Sequence, residues 1–266
     1  MSDEAPQRLA LGVSYRGGAY HGWQSQADGL TVQDRLEQAL SQFAGESVAT
    51  ICAGRTDAGV HALQQVVHVD THLQRELGSW VRGCNRYLPR DIAVQWCRPV
   101  AGDFHARYSA IGRRYRYIVL ESGVRPSLET GLCGWVFRPL DAARMRAAAA
   151  LLIGEHDFSS FRSIDCQATS PVKTLREIRI ERHGAYWHFD FDANAFLHHM
   201  VRNLMGCLLA VGNGRRSLAW LAEVLAALDR KTAAPTFAPD GLYFVGPYYD
   251  ARHEIPAHAP AIDWLG

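Results

Sequence analysis

One order of hydrophobic periodicities occurs twice along this chain, and it restricts the fold more than any single motif does. Leu9, Leu11, Val13 and Tyr15 alternate as a half-buried strand does. Thr31 then opens a helix with Asp34 three residues on, an acidic variant of the capping box. Val32, Leu36, Ala39, Leu40 and Phe43 form that helix's apolar stripe. Strands are expected over 48–53 and 65–70, a helix over 75–87, and a strand in which Ile92, Val94 and Trp96 alternate. The order is βαββαβ.

The second half repeats it. Tyr115, Tyr117 and Val119 alternate within a strand over 113–121, and Asp141 starts an Ala-rich helix that ends at Gly154, a natural residue just past a helix terminus. Segments 174–182 and 186–192 read as a hairpin around His183-Gly184. Helices over 195–211 and 218–229 precede a last strand near 241–246, giving βαββααβ. This is the plan of the ferredoxin-like split βαβ unit. The fold class expected is α+β: two ferredoxin-like (βαββαβ) units whose antiparallel sheets join and leave a central cleft. A junction near 104–107 divides the chain into an N-terminal unit, 1–105, and a C-terminal unit, 106–266.

A chain of 266 residues with 48% hydrophobic content is long enough to bury a full core. No apolar run approaches the roughly 18–20 residues that span a bilayer. The segment from Met1 to Arg8 carries acids and a proline but no apolar signal core, so a soluble protein of the cytoplasm is expected. The six cysteines are scattered without a Cys-x-x-Cys pair, which argues against a disulfide framework and against a zinc knuckle. The net charge of +1 announces no polyanion, and of the 28 basic residues only Lys173 and Lys231 are lysines. The local pattern says more. Residues 105–117 hold Arg107, Arg113, Arg114 and Arg116 and no acid, a basic strip on a neutral protein.

The stretch Gly54-Arg55-Thr56-Asp57-Ala58-Gly59-Val60-His61 follows the apolar run 48–53. It describes a strand ending in a tight loop that holds one acid where a ligand can approach closely. Thr-Asp-Ala-Gly is also ordinary turn chemistry, in which Asp and Gly serve only the backbone. Tyr115 stands between Arg114 and Arg116, an unusual setting for a core tyrosine. Such a site presents a ring to an unstacked base while cations meet phosphates. Arg202 lies off the stripe made by Leu197, Met200, Val201, Leu204, Leu208 and Val211, and one helical turn from His198. An arginine so placed also serves as an ordinary surface residue. His198-His199 reads as structural, because neighbours on a helix diverge and no third metal ligand is spaced nearby. The glycine-rich loop over 15–23, with Gly17-Gly18 and then Gln24, lacks dinucleotide or P-loop spacing and reads as an RNA-facing turn.

The octapeptide at 54–61 resembles the signature of the tRNA pseudouridine synthase A family. Four further segments are similar to that family, in the same order: Phe104-His105-Ala106-Arg107, Arg113-Arg114-Tyr115-Arg116-Tyr117, His198-His199-Met200-Val201-Arg202-Asn203 and Gly241-Leu242-Tyr243. The resemblance implies isomerisation of uridine to pseudouridine at positions 38, 39 and 40 of the tRNA anticodon stem-loop, without cofactor or metal, by a homodimer. It implies Asp57 as the acid that acts as nucleophile or base, Arg202 as its partner and Tyr115 as the ring that stacks on the target uracil. Arg55 then fills the space of the flipped base or holds its phosphate, Leu242 contacts the uracil or is plain core, and Arg114, Arg116 and His105 meet substrate.

The chemistry fits these residue types. The C1′–N1 bond breaks, the uracil turns, and C5 joins the ribose, with nothing oxidised and no external group added. One ionised acid is required. Burial alone raises a carboxylate pKa by up to ~3–5 units, whereas a nearby arginine lowers it by ~1–3, so the pocket is expected to stay partly polar. Stacking on Tyr115 supplies about 1–3 kcal/mol toward the few that flipping costs. Two rival readings are a non-catalytic RNA-binding module, which needs no acid in the loop, and a metal-dependent hydrolase, which the lack of ligand-spaced His, Asp and Glu disfavours.

Overall fold

The computed structural model describes residues 6–256; residues 1–5 and 257–266 lie outside the described residues. The described chain is α+β and divides into two compact units, one of residues 6–111 with 243–256, the other of Gly112–Leu242.

The first unit is the split βαβ plan in full. Its elements are β1 (Gln7–Tyr15), α1 (Val32–Ala44), β2 (Ile51–Cys52), β3 (His61–Thr71), α2 (Leu77–Tyr87) and β4 (Ile92–Val100). β1 pairs antiparallel with both β3 and β4, and β2 pairs antiparallel with β3, so the sheet order is β4-β1-β3-β2. The side-chain oxygen of Thr31 accepts from Asp34 N and caps α1, and Gly45, in the left-handed region at φ 77°, ends it. Leu9, Leu11 and Val13 are fully buried. Their neighbours Ala10 and Gly12 pack on the opposite face, where Ala10, Ala53, Val66, Phe104 and Ala106 form a second apolar cluster. A Cβ on Gly12 would lie 2.2 Å from the Trp96 ring, so that face admits no side chain there.

Expected strand 48–53 contracts to two residues, Ile51 and Cys52, which pair with His68 and Val67 of β3. Expected strand 65–70 lengthens at its start to His61, where β10 (Leu242–Tyr249) runs parallel to it, pairing Tyr243 with His61 and Phe244 with Ala62. No local pattern announces a pairing between residues so far apart in sequence.

The second unit holds β5 (Ala110–Glu121), β6 (Gly134–Val136), α3 (Ala142–Leu152), β7 (Gly154–Asp157), β8 (Val172–His183), β9 (Tyr186–Ala193), α4 (Met200–Gly212) and α5 (Leu218–Ala227). Its sheet runs β5-β9-β8-β7, with β6 parallel to β5. Asp141 caps α3 by accepting from Arg144 N. Gly154 follows that helix at φ 114° as expected, and also begins β7. β6 and β7 escape sequence reading because Gly-Trp-Val and Gly-Glu-His-Asp are too short to show a period; pairing with β5 and β8 makes them strands.

The helix expected from 195 starts only at Met200. His199, at φ 62°, is in the left-handed region and breaks the helical path. Asn194 holds the preceding turn, its side-chain oxygen accepting from Ala195 N and Thr174 N. His198 is therefore outside the helix, and the expected spacing of one helical turn between His198 and Arg202 does not hold.

Candidate active site

Asp57 is half-buried in the loop between β2 and β3. That loop closes as a tight turn, Val60 N donating to Asp57 O at 3.1 Å with Gly59 at φ 82°. Thr56, beside the acid, is buried; its hydroxyl lies 2.8 Å from the Tyr15 hydroxyl, and its carbonyl accepts from Trp23 N at 3.0 Å. Gln65, fully buried on β3, donates its side-chain amide to Gly54 O at 2.5 Å. Each such bond contributes only about 0.5–1.5 kcal/mol net, but together they leave the backbone around Asp57 little room to move.

The glycine-rich loop over 15–23 supplies the rest of this clamp. Tyr20 O accepts from Gly59 N at 3.4 Å, and Gly17 N donates to His61 Nδ1 at 3.0 Å. Both approaches require glycine: a Cβ on Gly17 would fall 1.9 Å from Val60 O, and one on Gly22, at φ 91°, 2.7 Å from Thr56 O. The buried side of this loop, with Tyr15, Tyr20 and Trp23, thus has a structural task that the sequence reading did not assign. Arg16, Gly18 and Gln24 stay exposed on it. Tyr15, Gly22 and Gln65 hold this loop through contacts that the sequence reading did not assign, and the signal for them was two glycine-bearing loops ahead of one strand.

In the same unit Arg55 is exposed and His105 half-buried. Nδ1 of His105 accepts from both Arg107 N and Tyr108 N at 3.2 Å, which fixes its remaining proton on Nε2 in the neutral ring. Burial and then the Arg8 charge depress its pKa. Its ring lies 4.3 Å from that of Tyr108, which is exposed, and 5.0 Å from that of buried His68. Phe104 is wholly core, and Tyr249 donates its hydroxyl to Ala106 O at 2.7 Å. The Phe-His-Ala-Arg segment therefore covers the second face of the sheet as well as presenting Arg107 to solvent.

Tyr115, Arg114, Arg116, Arg202 and Leu242 belong to the second unit. β5 pairs with β9 in unbroken register from Arg113 to Leu120. Alternation then puts Tyr115 on the face of Tyr117, and Arg114 and Arg116 on the other. The ring and its flanking cations therefore lie on opposite faces of β5. Tyr115 is half-buried, with Phe196 edge-on at 5.2 Å. Arg116 makes a two-pronged contact with Asp190, Nε at 2.6 Å from one oxygen and Nη2 at 3.1 Å from the other, and Arg179 reaches the same carboxylate at 3.0 Å.

α4 is buried on all sides except at Arg202, which remains half-buried. A helix apolar all round belongs inside a domain, so the one arginine on it stands out. Its Nε donates to Phe237 O at 3.0 Å, and its own carbonyl accepts from Phe237 N at 3.2 Å. Leu242, at the start of β10, is buried, as plain core would be. Gly241 before it sits at φ 78°, where a Cβ would fall 2.3 Å from Ile118 O.

The family model for tRNA pseudouridine synthase matches residues 12–109 and 148–250. The chain is 73% identical over 258 residues to tRNA pseudouridine synthase A of Methylibium petroleiphilum, covering 97% of this chain and 99% of that protein. Its identity to the enzyme of the same name from Polaromonas naphthalenivorans is 63% over 262 residues, with the same two coverages. The chain belongs to the tRNA pseudouridine synthase family. As a member it is an isomerase that converts uridine to pseudouridine in tRNA, and the reading as a non-catalytic RNA-binding module is set aside. No helix among the described residues is long and apolar enough to cross a membrane.

Proposed function

We propose that the enzyme isomerises uridines 38, 39 and 40 of the tRNA anticodon stem-loop, with Asp57 as the acid that acts on a flipped uridine. Arg202 pairs with Asp57 and holds it ionised, Tyr115 stacks on the uracil, and Leu242 bounds the base. Arg55 takes the vacated space or the phosphate, and Arg114, Arg116 and His105 contact the RNA. The first ferredoxin-like unit contributes the Asp57 loop, and the second contributes Tyr115, Arg202 and Leu242. A homodimer in the cytoplasm grips the substrate.

The observation that carries this reading is the clamp around the Asp57 loop. An acid serving only its own turn needs no buried hydroxyl pair, no buried glutamine and no second glycine loop against its backbone. Preorganisation of this kind is what a reacting carboxylate requires. Asp57 attacks C6 of the uracil or C1′ of the ribose, or removes a proton at C2′; all three start from the same carboxylate.

The test is an anticodon stem-loop tritiated at uracil C5 and incubated with protein in chelator. Wild-type protein releases tritium. Asp57→Asn retains RNA affinity and loses release by at least about a thousandfold, in keeping with loss of a nucleophile. An Asp57→Asn variant that still turns over would return Asp57 to the role of a turn residue.

A further inference from the structure

The Arg202 contacts lead to a segment that no motif marks. Residues 230–237 run along α4 and touch it at successive turns. Asn203, adjacent to Arg202 and fully buried, is bonded at both polar side-chain atoms: its Nδ2 donates to Phe161 O at 2.7 Å, while its Oδ1 accepts from Thr236 Oγ1 at 2.7 Å and from Arg230 Nη2 at 3.0 Å. Arg230 Nη2 also donates to Thr236 Oγ1 at 2.9 Å, closing a triangle of side chains. One turn on, a Cβ on Gly206 would lie 2.3 Å from Pro235 O, and Ala234 N donates to Cys207 Sγ at 3.4 Å. The strap ends at Phe237, whose N–H and C=O both bond to Arg202.

We infer that Asn203, Arg230 and Thr236 are positioning residues for Arg202: they lock the strap against α4 so that the Phe237 carbonyl sets the plane of the Arg202 guanidinium. A guanidinium is rigid and planar, so anchoring Nε restricts where its two Nη groups are presented. An arginine on a long flexible stem otherwise samples many rotamers, and misplacement of a charge by about 1 Å costs roughly a hundredfold in rate. The buried amide is suited to this task because each of its polar atoms is matched, and loss of one partner strands another. The inference rests on the reading of Arg202 as the partner of the catalytic acid.

The experiment compares Thr236→Val with Thr236→Ser, Arg230→Met and Arg202→Gln, using the tritium-release assay and RNA-binding measurements on the full chain. Thr236 is only half-buried, so both of its variants are expected to fold. Thr236→Val and Arg230→Met lower kcat roughly tenfold with KM within about twofold, Thr236→Ser restores the wild-type rate, and Arg202→Gln abolishes turnover. If Arg202→Gln is inactive while Thr236→Val and Arg230→Met keep full kcat, the positioning role is wrong and the reading of Arg202 stands. A rise in KM alone, or equal losses in the Ser and Val variants, also overturns it. An active Arg202→Gln removes the reading of Arg202 itself, and this inference with it.

Discussion

Replacing Gly22 by alanine is the sharpest probe of how this protein holds its acid. Gly22 occupies φ 91°, and an added Cβ would fall 2.7 Å from Thr56 O, 3.2 Å from Ala58 N and 3.2 Å from Asp57 C. All three are backbone atoms of the loop that carries Asp57, so no side-chain end can swing aside. The left-handed conformation costs a non-glycine residue about 1–2 kcal/mol, and overpacking a rigid contact adds about 1–3. A loss of roughly 2–5 kcal/mol is therefore expected in chemical denaturation. To the extent that the loop yields instead, it retreats by a few tenths of an ångström and carries Asp57 with it, lowering the single-turnover rate by about three- to tenfold. Gly18→Ala is the control: nothing lies within 4 Å of its Cβ, and its stability should stay within about 0.5 kcal/mol of wild type. If the two variants unfold at the same denaturant concentration and turn over alike, the clamp does not constrain the loop.

Two further predictions concern the same unit. In a double-mutant cycle of Tyr15→Phe and Thr56→Val, each single change should cost about 1 kcal/mol and the pair less than their sum, since the hydroxyls bond to one another; strictly additive losses would show that they act separately. His68 is buried, its Nδ1 accepting from Ala106 N, and burial, then the charges of Arg8 and His105, against the opposing pull of Asp70, lower its pKa from 6.5 to about 4. The native ring stays neutral where the unfolded chain takes up a proton, so stability falls as pH drops from 6.5 to about 4 and this contribution is constant below that. The full effect is at most about 3 kcal/mol. His68→Asn, which keeps an acceptor for Ala106 N, should flatten the stability-versus-pH curve in that window, and curves of equal slope would refute the assignment.

Much of the first unit was legible before any coordinates. Alternation in Leu9, Leu11 and Val13, the Thr31 cap and the apolar stripe of α1 are local signals, and β1, α1, α2 and β4 appear where those signals put them. The second unit was read less well. β6 and β7 carry no period, and the turn before α4 is fixed by Asn194 and by the left-handed His199, neither of which interrupts the apolar pattern. The site follows the same division. A motif gives the identities of Asp57, Tyr115 and Arg202 as candidates, and alternation sets Tyr115 apart from Arg114 and Arg116, but nothing local shows that Arg116 pairs with Asp190.

The sequence by itself determined the family, the helix caps at Thr31 and Asp141 and the identities of the candidate site residues, because each is written in neighbouring residues. Only the tertiary structure decided how those residues are held: Gly22 and Thr56 are 34 positions apart, and Asn203 and Thr236 are 33. Contacts over such separations arise from packing, where close backbone approach and the need to satisfy every buried polar atom select partners that leave no periodic trace in the chain.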